Sequence, residues 1–176
     1  TVTIKEAMEK AGENVKYVSS LIPIEAEREM RRHDVIVLAL GETRNVSGEA
    51  RSLSDLELPE ELMALAKAAR FFGKKVVGVF ACGRPLALQS AEPYFDAILY
   101  AWHSGNAIGP AVADLLFGDA CPSGKTPITF PRVTGQAPLY YTFQGAVRPV
   151  NDYYYSHEYA FHNYEDCYGS PLYPFG

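Results

Sequence analysis

Two hydrophobic rhythms alternate over about the first 130 residues. Stretches 3–11, 24–32, 59–72 and 107–117 carry apolar residues at helical spacing, and Leu62, Leu65, Ala66 and Ala69 form one stripe of the third. Pro59 suits a first helical turn, with Glu60 and Glu61 favouring the positive end of the helix and Gly73 placed to stop it. Between these stretches lie short, continuous apolar runs at 15–18, 35–40, 76–80, 97–100 and 128–130. Unbroken apolarity is what a strand needs when both faces of its sheet are covered. Strand alternating with helix therefore predicts an α/β fold. We expect a three-layer sandwich, with a mainly parallel sheet and helices on both faces.

After Pro131 the rhythm stops. Residues 132–176 are rich in Pro, Gly, Tyr and Asn, and most of the chain's 12 tyrosines lie from Tyr140 onward. Disordered segments are poor in aromatics, so this reads as an irregular but ordered extension packed on the sandwich. The expected division is 1–131 for the sandwich and 132–176 for the extension.

Composition narrows the function classes. The 176 residues are 48% hydrophobic and 21% charged, as expected of a soluble globular chain with room for one medium domain. A net charge of −5 disfavours nucleic acid and anionic membrane as partners. The longest apolar run, 35–40, is strand-sized and far too short to span a membrane. The opening TVTIKEAMEK is amphipathic rather than signal-like, which leaves the compartment open. Cys82, Cys121 and Cys167 are odd in number and widely spaced, so neither a metal site nor a disulfide framework is expected. No cofactor is expected either.

Several motif likenesses fail on spacing. GDACPSGKT places five residues between Gly118 and Gly124 where a phosphate-binding loop has four, and the strand-like ITF follows it instead of a helix. In HEYAFH, His157 and His162 are five apart and would point from different helix faces. Asn45-Val46-Ser47 is a glycosylation sequon, a weak signal alone.

In parallel sheets, ligands bind where the strand-to-helix loops gather at the carboxyl ends of the strands. Three such loops stand out: GETRNVSGEARS, ACGRPLA and AWHSGNAIG. The first is long and carries Glu42, Arg44, Glu49 and Arg51; the third offers Trp102 and His103 for stacking on, or hydrogen bonding to, a sugar. For any single one of these residues, a structural role remains an equal alternative.

These loops, in their order, carry a resemblance. DVIVLALGE, SGEARSLSDLELP, GKKVVGVFACGRPLAL and FDAILYAWHSGNAIGPAVADLLFGDACPSGKTPITFPR resemble the C-terminal α/β-sandwich domain of glycoside hydrolase family 3 β-glucosidases. The closing GQAPLYY and HNYEDCYGSPLYPFG look like that family's stretch toward a fibronectin-like module, and the likeness runs from about Asp34 onward. Retaining hydrolysis needs two carboxylates about 5 Å apart. In the family the nucleophile is an aspartate of an N-terminal barrel, which these residues do not include, and the acid/base is the glutamate of the loop matching SGEA. The resemblance thus implies Glu49 as acid/base, with Arg51, Trp102 and His103 as substrate-binding candidates. Glu42 reads as a loop organiser, and Arg51 and Arg84 as candidates to orient neighbouring carboxylates, with Arg84 read first as the anchor of its own turn. The implied partner is a β-glucoside, bound only together with a barrel, and the chain alone is expected to be silent.

The sequence departs from the family at Leu53, commonly arginine, at Leu62, commonly glutamine, and at the Phe71-Phe72 pair. Apolar residues at such positions keep open a second reading, a noncatalytic sugar-binding or self-associating scaffold domain.

Overall fold

A computed structural model describes residues 1–12, 14–20, 22–142, 164 and 166–176. The HEYAFH motif and most of the tyrosine-rich stretch lie outside these residues. Three strands, β1 (Val35–Gly41), β2 (Lys75–Ala81) and β3 (Ala97–Tyr100), form one parallel sheet in the order β1-β2-β3. Val35 pairs with Lys75 at one end of the β1–β2 ladder and Gly41 with Ala81 at the other. Helices surround the open sheet, which makes it the α/β sandwich that the alternating periods predict.

Each helix has a local reason for its ends. α1 (Ile4–Ala11) begins on a capping box, in which the Thr3 side chain accepts from the Glu6 N–H and Glu6 accepts from the Thr3 N–H. α2 (Pro23–Arg32) starts on a proline and carries a Glu27–Arg31 pair at i,i+4. α3 (Glu60–Phe71) has acidic residues in its first turn, and its polypeptide reverses at Gly73, whose φ of +69° suits glycine. α4 (Ile108–Phe117) ends at Gly118 in the left-handed region. The buried stripe of α3 is Met63, Leu65, Ala66 and Ala69, with Leu62 at its half-buried margin.

The chain divides into two compact units. The first, comprising 1–52, 59–84 and 91–123, contains the sheet and all four helices. Its core centres on Val76, Val79 and Phe80, none of which retains exposed surface. Phe80 meets Phe95 edge-on at 5.7 Å and stacks on Tyr100 at 5.6 Å. Burying such a phenylalanine contributes about 1.5–3 kcal/mol. At the amino-terminal end of the sheet, Asp96 accepts from the Val76 N–H at 2.9 Å, from Arg70 at 2.9 Å and from Lys75 at 3.0 Å. These bonds, that of the Val76 backbone first, hold its carboxyl down at about 2.

The second unit comprises 53–58, 85–90 and 124–176. In its described part, Phe130 pairs antiparallel with Tyr173, and their rings meet edge-on at 5.7 Å. Gln136 is buried, accepts from the Arg132 N–H at 2.6 Å and donates to the Tyr168 carbonyl at 2.8 Å. Arg132 binds the Ser170 carbonyl, and Tyr141 stacks on Phe175 at 4.4 Å.

Two of the five expected strands are absent from the sheet. Residues 15–18 form no ladder; a cleft of about 1160 Å³ opens between their segment and β1, and Val15 and Val18 are only half-buried. Residues 128–130 contribute only a bridge, Phe130 to Tyr173, among the described residues of the second unit. Tyr17 and Ile128 stay exposed, so neither segment has the cover on both faces that a run of sheet-core residues implies, although Phe130 itself is buried.

Candidate active site

Three loops leave the carboxyl ends of the strands and meet within the first unit. The loop after β1 is held by its neighbours rather than by regular structure. Glu42 donates its N–H to the Ala81 carbonyl at 3.3 Å, and its carboxylate accepts the Gly83 N–H at 3.0 Å. Arg84 Nε lies 2.8 Å from Glu42 Oε1, with the Glu42 side chain 6% exposed. That oxygen is buried and lacks an aligned hydrogen bond among the described residues, so the contact is one of charge more than of direction. Arg84 Nη2 also donates to the Val46 carbonyl at 2.7 Å. Arg84 therefore ties the β2 loop to the β1 loop, a wider role than anchoring its own turn. Tyr100 completes the brace by donating to the Arg84 carbonyl at 2.5 Å.

Beyond this brace the β1 loop makes two turns. The Val46 N–H donates to the Thr43 carbonyl at 3.1 Å, and the Arg51 N–H to the Gly48 carbonyl at 3.2 Å. Glu49 and Ala50 form the corner of the second turn, where Gly48 has φ +137° and Ala50 φ +57°. A left-handed alanine is strained, which the turn must hold in place. Glu49 and Arg51 are both exposed, and Glu49 makes no ion pair among the described residues. Glu49 thus sits on the carboxyl-end loop of β1, at a turn corner, free of the core.

Trp102 and His103 come in from the loop after β3. The Trp102 backbone takes φ +52°, and its indole lies 4.6 Å from the Tyr100 ring. His103 is exposed, and its Nε2 lies 3.0 Å from the Ser47 hydroxyl oxygen. A Cβ on Gly83 would come within 2.7 Å of that nitrogen and 3.0 Å of the hydroxyl. His103 therefore meets the loop that carries Glu49 at Ser47, two residues before the glutamate. Ser47 had only its place in the sequon to mark it, and nothing in the sequence pairs it with residue 103. Cys82 lies under the loops, 1% exposed; burial first and the Glu42 charge second push its thiol up to about 11. No His, Cys, Asp or Glu group among the described residues could hold a metal ion.

The model of one family, the glycosyl hydrolase family 3 C-terminal domain, fits residues 1–176. The chain belongs to glycosyl hydrolase family 3. It is 41% identical over 152 residues to a periplasmic beta-glucosidase of Salmonella typhimurium, covering 86% of this chain and 20% of that protein. A beta-xylosidase of Formosa agariphila is 36% identical over 117 residues, 66% of this chain and 16% of its own length. Among solved structures, the beta-glucosidase from Listeria innocua in complex with isofagomine superposes with a TM-score of 0.88 at 35% identity, over 99% of this chain and 25% of that one. The chain spans about a fifth of the first of these family 3 relatives and a quarter of the solved one.

Proposed function

We propose that this family 3 domain acts as the sandwich half of a retaining β-glucosidase, with Glu49 as its general acid/base. The supporting observation is the position of Glu49: an exposed carboxylate at a turn corner on the β1 loop, beyond a buried Glu42–Arg84 brace. A retaining mechanism requires one carboxylate to attack C1 and a second to protonate the leaving oxygen, about 5 Å away. Glu49 takes the second role, and an aspartate of the barrel takes the first. Closing a barrel over the loop removes water from Glu49 and raises its affinity for a proton, as a general acid requires. In the second half-reaction Glu49, now ionised, draws a proton from the attacking water. Trp102 supplies an aromatic face for the sugar, while Arg51 and His103 supply polar contacts beside it. Glucosides are favoured as substrates by the similarity to beta-glucosidases, although a beta-xylosidase is similar at lower identity.

Without a nucleophile the chain has no means of forming the glycosyl intermediate. On an aryl β-glucoside, the 176-residue chain alone gives no turnover. Joined to its barrel it gives turnover, and Glu49→Gln lowers it by about 10²–10⁴-fold on cellobiose. Sustained turnover by the isolated chain, or an undiminished Glu49→Gln enzyme, contradicts the assignment.

A second reading has one observation of its own. Phe71 is 83% exposed at the end of α3, edge-on to Phe72 at 5.4 Å, a surface suited to self-association. Sedimentation decides it, since a monomer at high concentration removes this reading.

A further inference from the structure

The β1 loop bears its carboxylate at a corner that regular structure does not hold. Its brace, Glu42 with Arg84, fixes the loop only as far as the Val46 carbonyl. Glu49 is three residues further on, past a glycine at φ +137°. One described side-chain contact lies between them: Ser47 Oγ to His103 Nε2 at 3.0 Å. It crosses from the β1 loop to the β3 loop, and Gly83 of the β2 loop leaves the space in which it forms.

From this geometry we infer that Ser47, latched to His103, is a positioning residue that sets the direction of the Glu49 turn. The inference rests on Glu49 being the acid/base. The latch suits a proton-transferring site because a serine hydroxyl both donates and accepts: it donates to a neutral imidazole nitrogen and accepts from a protonated one. The hydroxyl can therefore keep the contact whichever role the ring nitrogen takes. Gly83 is small for the same reason, since a methyl group 2.7 Å from Nε2 would displace the ring or the hydroxyl. The Arg51 N–H to Gly48 carbonyl bond closes the turn that begins one residue after Ser47.

Proton transfer is sensitive to small displacements of the donor, so loss of the latch reads out in acid catalysis more than in binding. Two experiments separate the latch from the assignment of Glu49. In the 176-residue chain, Ser47→Ala shifts the His103 Nε2 nitrogen resonance and raises the exchange rate of the Arg51 amide by about 5-fold, and Ser47→Thr, which keeps the hydroxyl, restores both. Unchanged exchange at Arg51 overturns the latch, whatever Glu49 does. In the enzyme carrying this domain with its barrel, Ser47→Ala lowers kcat/KM about 10-fold for an alkyl β-glucoside and less than about 2-fold for the 2,4-dinitrophenyl glucoside, which leaves without a proton. Equal losses on the two substrates mark a merely structural role and overturn the inference; no loss on either overturns it as well. If Glu49→Gln in the same enzyme shows no leaving-group dependence, it is the acid/base reading that fails, and the positioning role fails with it.

Discussion

Arg84 closes on Glu42 at 2.8 Å and at the same time reaches the Val46 carbonyl at 2.7 Å, so one guanidinium joins the loops that follow β1 and β2. Its planar fork makes both contacts possible, and an ammonium offers no equivalent geometry. Glu42 in turn holds the Gly83 N–H at 3.0 Å. The pair is a frame for the loop that carries Glu49.

Breaking that frame leaves a charge without its counterpart in a site where the Glu42 side chain is 6% exposed. Arg84→Ala therefore destabilises the domain by about 2–3 kcal/mol, less than a fully buried pair because Arg84 itself keeps some solvent. Arg84→Lys recovers only part of this loss. Urea denaturation of the three proteins measures it, and an Arg84→Lys chain as stable as the parent contradicts the bridging role.

At the opposite end of the sheet, Asp96 makes stability depend on acid. Its carboxyl lies at about 2 in the fold, against the ordinary 3.8, because the Val76 N–H, Lys75 and Arg70 all favour the ionised form. A depressed value contributes stability that is complete above about 4 and drains away as pH falls from 3.8 through 2. Asp96→Asn is accordingly less stable than the parent at pH 6, and the difference shrinks by pH 2. Denaturation midpoints at the two pH values test this; a constant difference contradicts it.

Burial and the Glu42 charge hold Cys82 as a thiol, at about 11, while Cys121 is exposed. At pH 8 only about one Cys82 in a thousand is the reactive thiolate. Iodoacetamide therefore labels Cys121 in the native chain and reaches Cys82 only after denaturant is added. Labelling of Cys82 at the Cys121 rate in native protein, read by peptide mass, contradicts the buried placement.

The sheet was legible because 35–40, 76–80 and 97–100 each read as an unbroken apolar run and each became a strand, although only β2 is largely buried while β1 and β3 keep exposed positions. Residues 15–18 and 128–130 read the same way, but Tyr17 and Ile128 stay exposed and neither segment joins the ladder, so the same signal overcounted strands. The α3 stripe shifted onto Met63 because helical spacing alone leaves two neighbouring faces open at its margin. Glu49 follows β1 in the chain, and a residue shortly after a parallel strand must emerge at its carboxyl end. The pairings that organise that loop were not legible. Glu42 with Arg84, and Ser47 with His103, join positions far apart in sequence, brought together only by the parallel register of β1, β2 and β3.

The sharpest test of the account is what replaces Glu49 when its carboxylate is removed. A glycosyl intermediate formed from the 2,4-dinitrophenyl β-glucoside needs a base to activate water, but azide attacks C1 unaided and releases the barrel carboxylate. In the enzyme with its barrel, azide should accelerate Glu49→Ala and yield the β-glucosyl azide, while leaving the parent rate unchanged. A Glu49→Ala enzyme that turns over as fast as the parent, or one that azide neither accelerates nor converts to that product, would contradict the role given to Glu49.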